Sequence, residues 1–424
     1  MANVSAVLWG VSEVGEVKTS STYQDKARAA RNKPAALGED IDLGQYISSD
    51  EKQPYQPDPS QLPAKDKKQM LESGIILDDV SQRAGTFIQV NNAPVHSSAR
   101  QEGIEVMPTS EALEKYNWLA DYWWRAVAVD SDKYTASVEL SQHDGYFIRA
   151  LAGQKTVFPV QACLYLARAR LVQNVHNIII AEEGSELHII TGCTAASRDE
   201  PGLHLGVSEF YIKRGARVTF TMIHNWNPEI GVRPRTGAII EEDGTFLSNY
   251  VIMKPVHSLQ MYPTAWCVGE NSVVRYNSVL VATPGSSLDV GSRVILDARG
   301  ARTEIILRAI TTGGHIIARG YIEGNAPEVK GHLECRGLIL QETGMIHAIP
   351  ELKGNLAGID LYHEAAVGKI AEEEVEYLMA RGLSRSEATA AIVRGFLRVD
   401  IEGLPALLSA ELQRAVEASE KELM

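Results

Sequence analysis

From about residue 130 to residue 360 the chain alternates short β-branched runs with glycine turns. Gly184-Ser185-Glu186-Leu187-His188-Ile189-Ile190 is followed by Gly215-Ala216-Arg217-Val218-Thr219-Phe220, and further turns begin at Gly244, Gly285, Gly300 and Gly314. Several of the intervals between these glycines fall near multiples of fifteen, the longest lying between Gly244 and Gly285. No helical period is visible between the runs, so a sheet built from βαβ crossovers is not expected. A quasi-repeat of short strands and glycine turns without a strict motif predicts the stacked coils of a β-helix, with a double-sheet sandwich as the competing arrangement.

The flanks carry a different pattern. Residues 24–31 are compatible with one short helix, and 65–73 with another that is amphipathic. Residues 109–118 form a third, opened by Thr109-Ser110-Glu111-Ala112, whose hydroxyls suit a capped start. Between the first two, Gln53-Pro54-Tyr55-Gln56-Pro57-Asp58-Pro59 contains three prolines and predicts a linker or surface strap. Trp118, Trp123 and Trp124 lie close together and are expected to pack. Beyond Ile370 the helical period returns over residues 372–380, with Val375, Leu378 and Met379 on one face and Gly382 as the C-cap. Ser384-Arg385-Ser386-Glu387 reads as a capping box that opens a second helix, and Pro405 starts a third. The expected organisation is a mixed, helical N-terminal region with a proline-rich linker (1–129), a β-helix core (130–362) and a C-terminal helical domain (363–424). The last would plug the β-helix end or dock a partner.

Composition narrows the functional classes. With 41 basic and 54 acidic side chains the net charge is −13, which argues against nucleic acid and against an anionic membrane surface as partners. No apolar run approaches the length of a membrane span, and Met1-Ala2-Asn3-Val4 lacks the basic start of a secretory signal, so a cytoplasmic location is expected. The four cysteines, Cys163, Cys193, Cys267 and Cys335, form no CxxC pair and fit no zinc-finger or ferredoxin spacing. In a reducing compartment each is either a small core hydrophobe or a reactive thiol.

Several chemistries are missing. There is no Gly-x-Gly for a dinucleotide and no Gly-x-Ser-x-Gly elbow. Gly368-Lys369 fails as a P-loop because position 363 is histidine and Ile370 replaces the hydroxyl residue, so ATP hydrolysis by this chain is not expected. His363-Glu364 begins like a zincin helix, but Val367 stands where the second histidine belongs. What remains are Cys193 at a glycine bend, Cys335 on an alternating strand that sets it beside Leu333, and His363-Glu364 where the last strand gives way to the helical tail. Taken singly, each of these reads better as structural than as functional.

In order along the chain, however, these stretches resemble the SufB/SufD family of SUF-system scaffold proteins. The resemblance is most specific in the tail: His363-Glu364-Ala365-Ala366-Val367-Gly368-Lys369-Ile370, Tyr377-Leu378, Arg381-Gly382-Leu383-Ser384, and Ile392-Val393-Arg394-Gly395-Phe396. Upstream it includes Glu182-Glu183-Gly184-Ser185, Gly192-Cys193-Thr194-Ala195 and Asn225-Trp226, so that it covers about residues 130 to 400. The resemblance implies a right-handed parallel β-helix core with helical ends. It implies a scaffold, not an enzyme, on which a transient iron–sulfur cluster is built for transfer to apo-proteins. It also implies a SufC-like ABC ATPase as partner, so that ATP acts only through that subunit. Cys335 stands ahead of His363 at the family's spacing and matches its cluster-building cysteine, with His363 and Glu364 as companions toward iron. Cys193 matches the cysteine that accepts sulfur as a persulfide from a donor.

A thiolate with weaker His and carboxylate ligands suits a cluster that must be released. Three positions depart from the family's polar path between the cysteines: Tyr165 stands for an arginine, His224 for a glutamine, and Glu242 falls near a lysine. Cys163 and Cys267 match no functional position and are expected in the core. Because one chain holds the full set, a homodimer joined through the β-helix is expected. The alternatives are a β-helix enzyme acting on polysaccharides and a SufD-like structural partner without a cluster site.

Overall fold

The computed structural model describes residues 20–48, 53–78, 81–141, 143–196 and 200–397. The helix expected from Pro405 lies outside these residues. Two long sheets face each other and the chain winds between them. The first sheet contains, in spatial order, Ala93–Ala99, Gly85–Val90, Val160–Leu166, Glu186–Ala195, Arg217–Asn225, Thr245–Ile252, Val273–Ala282, Arg302–Thr311, Lys330–Ile339 and Asp360–Gly368. The second is built on Val172–Ala181, Gly202–Ile212, Ser287–Leu296, His315–Gly324 and Met345–Gly354, with shorter strands between them. Consecutive strands of one sheet pair in parallel and in register, for example Leu307 with Cys335 and Cys335 with Ala365. The structure is the mainly β solenoid expected, of about eight turns, with helices near both ends.

A left-handed residue at the same corner of each coil makes this winding possible. Gly153, Gly184, Gly215, Asp243, Asn271, Gly300, Glu328 and Gly358 all have positive φ, between +54° and +80°, and recur once in each coil. Each turns the chain out of one strand and into the next. Glycine enters this left-handed region at no steric cost, and Asn and Asp tolerate it. Three coils therefore turn without glycine, which is why the glycine spacing along the chain is irregular.

Alternation then sorts the side chains. Inward positions such as Val218, Phe220, Phe246, Val274, Tyr276, Leu307 and Leu333 fill the space between the sheets. Phe210, Phe220, Phe246 and Tyr276 stack along the axis with centroid separations of 4.8, 4.9 and 6.0 Å between Phe210–Phe220, Phe210–Phe246 and Phe246–Tyr276.

The sheets reach beyond the limits of 130 and 362. Gly85–Val90 pairs in parallel with Val160–Leu166, and Asp360–Gly368 continues the sheet through His363 and Glu364. Conversely, Lys133–Leu140 is a helix, capped by Asp132, within the stretch expected to be strand. Helices also occupy Ser20–Ala30, Ala64–Glu72 and Thr109–Lys115. The third begins on Pro108, which has no capping side chain; Asp144 Oδ1 accepts the Ser110 N–H at 3.2 Å instead, and the Thr109 hydroxyl donates to the His176 carbonyl at 2.9 Å, which ties the helix to the solenoid.

The N-terminal end is closed. Its edge strand Ala93–Ala99 pairs antiparallel with Gly85–Val90. The proline-rich segment lies along that edge as a strap, with the Gln56 N–H donating to the Val95 carbonyl at 2.7 Å and Tyr55 Oη donating to the Ser97 carbonyl at 3.1 Å. Prolines cannot donate, so the strap shields one edge without offering another. The tryptophan-rich loop is pinned by Glu209, which is fully buried. Its carboxylate accepts from the Trp124 N–H (2.8 Å), the Ala126 N–H (2.6 Å), the Val127 N–H (2.9 Å) and His176 Nε2 (2.9 Å). Burial lowers the His176 pKa, so the imidazole donates as a neutral ring. Trp124 is held at φ +53°, a strained value for a bulky residue, which these bonds offset.

The C-terminal end differs. Helices Glu372–Met379 and Arg385–Leu397 do not plug the end. Val393 instead packs on the outward face of the first sheet against Val279, Val281, Ile310 and Leu338. The Ser384–Glu387 capping box forms as expected, with the Ser384 N–H donating to Glu387 Oε2 at 2.7 Å.

Replacing Glu209 with Ala leaves three buried donors, the Trp124 and Val127 N–H groups and His176 Nε2, without a partner, and should cost about 3–5 kcal/mol. Urea unfolding followed by tryptophan fluorescence measures it. A loss below about 1 kcal/mol, the level of an ordinary surface contact, would show that the loop is held by packing alone.

Candidate functional site

Cys335 lies in the middle of Lys330–Ile339 and points inward beside Leu333, 1% exposed. The register aligns Leu333 with His363 and Cys335 with Ala365 on the terminal strand. Side chains of registered residues point the same way, so positions 361, 363 and 365 share the inward face with Cys335. Leu361 packs against the core there, while His363 is exposed because no further coil among the described residues covers it. Cys335 and His363 are thus diagonal neighbours on one face, roughly 8 Å apart at the backbone.

Glu364 does not share that face. It registers with Glu334 on the outward side, where Arg336 Nη2 approaches it at 3.8 Å. Arg336 also pairs with Glu334, which Arg308 contacts at 2.9 Å, and the neighbouring His332 ring stacks on Tyr362 at 4.5 Å. The structure therefore brings Cys335 and His363 together and sets Glu364 behind them. Among the described residues no group of three His, Cys, Asp or Glu side chains is gathered closely enough to hold a metal ion.

Burial pushes the Cys335 thiol up to about 11; Glu334 adds to the rise and Arg308 opposes it. At neutral pH it is a thiol, and a metal would have to displace its proton.

Cys193 is fully buried on Glu186–Ala195, and burial raises its pKa well above the usual thiol value. It too points into the core, two residues along from Thr191. Following the register from Thr191 through Met222, Tyr250, Ser278 and Leu307 leads to Cys335. The two cysteines thus occupy adjacent inward columns of one sheet, five strands apart, or about 25 Å at the ~4.8 Å strand spacing. Gly192 seals Cys193 from behind. A Cβ there would meet Ser73 Oγ at 2.5 Å, so only glycine lets residues 73–75 lie against the strand.

The register neighbours of Cys193 are Leu164 and His224. His224 is buried with its pKa depressed by burial, takes Tyr250 Oη on Nδ1 at 2.9 Å, and has no partner for Nε2 among the described residues. The indole N–H of Trp226 is likewise buried without a partner among them. His224, one of the three departures from the family's polar path, thus adjoins Cys193. Tyr165 and Glu242 do not join it: Tyr165 packs outward with its hydroxyl on Asp66 at 2.6 Å, and Glu242 sits in an exposed turn. Cys163 lies in the outer cluster under helix Ala64–Glu72 and Cys267 in the solenoid core. Tyr250 and Arg308 were not singled out in the sequence, because their contacts come from strands of the neighbouring coils.

Comparison with known families gives this geometry its context. The profile described as "SUF system FeS cluster assembly, SufBD core domain" matches residues 165–396. The chain belongs to the SufBD family. It is 49% identical over 402 residues to an iron–sulfur cluster assembly SufBD family protein of Methanothermobacter thermautotrophicus, covering 93% of this chain and 98% of that one. A relative of the same name from Archaeoglobus fulgidus is 50% identical over 359 residues, covering 85% and 96%. One from Pyrococcus horikoshii is 31% identical over 349 residues, covering 80% and 78%. Among the described residues of this SufBD protein no helix is long and apolar enough to cross a membrane.

Alkylation by iodoacetamide, read by mass spectrometry, tests the thiol environments. Modification of Cys335 should speed up about tenfold per pH unit above pH 7 and level off only near 11, because the thiolate fraction sets the rate. Cys163, Cys193 and Cys267 should stay unmodified until the protein unfolds. A plateau for Cys335 near pH 8–9, the range of a free thiol, would contradict the buried setting.

Proposed function

We propose that this SufBD protein is a SufB-like scaffold, working in the cytoplasm, on which an iron–sulfur cluster is assembled and then passed to apo-proteins. Iron and cluster are its cargo. The observation that carries this reading is the pair Cys335 and His363, facing the same way on the last two coils at an end that none of the described residues covers. A thiolate and an imidazole there would hold iron, and release it more readily than a set of four thiolates.

Cys193 is the proposed sulfur acceptor. Its thiolate would attack the outer sulfur of a donor persulfide, forming Cys193–S–S⁻ as the donor's cysteine leaves as a thiolate. The buried, protonated thiol means that the coil must open for this step. Attack by two equivalents of an external thiol on Cys193–S–S⁻ would release hydrosulfide, restore the Cys193 thiol and leave the reductant as a disulfide; the hydrosulfide would then pass along the adjacent inward column, by Thr191, Tyr250 and Ser278, toward Cys335.

A second copy of the chain would complete the site. Among the described residues the terminal strands Met345–Gly354 and Asp360–Gly368 have one unpaired edge each, and Met345, Leu356, Tyr362 and Val367 are 41–51% exposed around them. Twofold pairing of these ends would satisfy the edges and juxtapose two Cys335–His363 pairs, with Glu364 contributing across the interface. A SufC-like ABC ATPase is the proposed partner of the C-terminal helices, where Tyr377 and Met379 are exposed. ATP hydrolysis belongs to that subunit; its closure would shift the two scaffolds and open the site. The presence of Cys335 with His363 favours this reading over a SufD-like partner without a cluster site.

Anaerobic reconstitution with ferrous iron and sulfide should yield visible charge-transfer absorption that is lost in Cys335→Ala and reduced in His363→Ala. Cys193→Ala should retain the colour with inorganic sulfide and lose it with a persulfide donor. Undiminished colour in Cys335→Ala would remove the site from Cys335. In parallel, sedimentation should give a dimer that Val367→Arg converts to monomer with loss of the cluster. A wild-type monomer that carries the full cluster would rule out the twofold site.

A further inference from the structure

At the opposite end of the first sheet from Cys335 and His363, a cleft of about 430 Å³ opens beneath the proline-rich strap, against the first antiparallel hairpin. We propose that this cleft binds the phosphate group of a small molecule. Its floor is Arg83, only 3% exposed, with Nη2 donating to the Leu77 carbonyl at 3.1 Å. Arg100 stands exposed at the wall and makes no ion pair among the described residues. A buried guanidinium with a second one at the opening gives the cleft a positive field, and their planar forks suit a tetrahedral dianion.

The hydroxyls of Ser60, Thr86 and Ser98 line the same space and add donors. His96 organises one of them. Its Nδ1–H donates to the Gln56 carbonyl of the strap at 2.8 Å, so Nε2 takes the proton of Ser98 Oγ at 3.0 Å. Ser98 is thereby fixed in the wall, and a protonated His96 would free its hydroxyl to donate to the ligand.

Two carboxylates also border the cleft, and both are occupied. Asp58 accepts from the Ser60 N–H at 2.9 Å as the cap of a short turn, and Asp78 pairs with Lys67 at 2.8 Å. Asp58 makes no ion pair among the described residues, so Arg83 and Arg100 set against Asp58 leave the cleft one net positive charge, Asp78 and Lys67 offsetting each other. The volume exceeds that of one phosphate, leaving space for a small organic body. Since the strap forms one wall and the hairpin the other, an occupant would bridge them and hold the strap over the edge strand. This site does not depend on the cluster reading.

Calorimetric titration of the full chain at fixed ionic strength, with orthophosphate and with ribose 5-phosphate, tests the proposal. Saturable one-to-one binding is expected, weakened about tenfold or more in Arg100→Gln, which removes a charged hydrogen bond from an exposed position. Asp78→Asn should tighten binding about two- to fivefold by removing a rim charge. Ribose 5-phosphate binding at least tenfold more tightly would identify a phosphorylated metabolite as the ligand, and equal affinity would identify free phosphate. No saturable heat with either probe at millimolar concentration, or unchanged affinity in Arg100→Gln, would overturn the proposal.

Discussion

The molecule depends on parallel strands stacked in register, coil upon coil, with a left-handed residue at the same corner of each coil to return the chain. Each coil buries its inward side chains only because the coils above and below present theirs at the same height. A slip of one residue would turn Cys335, Leu307 and Tyr250 outward and bring Glu334 and Arg308 into the core. The register is therefore strongly held wherever a coil has neighbours on both sides. It is weakest in the final coil, which has a neighbour on only one.

That asymmetry separates the two ends. At the N-terminal end, antiparallel strands, a proline strap that cannot donate, and a loop clamped by the Glu209 carboxylate use up the free backbone groups. At the C-terminal end the helices pack on the flank, and among the described residues the last two strands keep open edges and exposed inward side chains. The same arrangement gives the two cysteines different settings. Cys193 has coils on both sides and behaves as a sealed core thiol. Cys335 lies one strand from the open end, still buried enough to hold its proton, but beside a histidine that solvent and a second chain can reach.

The spacing of Cys335 and His363 along the chain acquires a structural meaning here. Cys335 registers with Ala365, so the step from position 335 to position 365 is one full coil, and His363 falls two positions short of it. Stopping short by an even number keeps both side chains on the inward face, as diagonal neighbours. The adjoining Glu364 is out of phase by one and must face the other way. A sequence motif that groups His and Glu thus divides them in space.

Much of this was legible in the linear chain. Alternation and glycine turns gave the β-helix, three prolines gave the strap, and Ser384 with Glu387 gave the capping box, because these features rest on interactions within a short stretch of chain. The coil length was only half visible. Glycine marks the left-handed turn at Gly184, Gly215 and Gly300, but Asp243, Asn271 and Glu328 make the same turn with side chains that do not announce it. Helix Lys133–Leu140 was missed within the strand-rich stretch, and the helix start at Thr109 takes its cap from Asp144, elsewhere in the chain, while its own hydroxyl donates to the His176 carbonyl. The residues of the candidate site, and the order in which they occur, were determined by the sequence alone. Which of them share a face, which thiol is sealed, and which end of the solenoid stays open were decided only by the tertiary structure. Those properties belong to contacts between residues a full coil apart, and no local pattern in the chain records them.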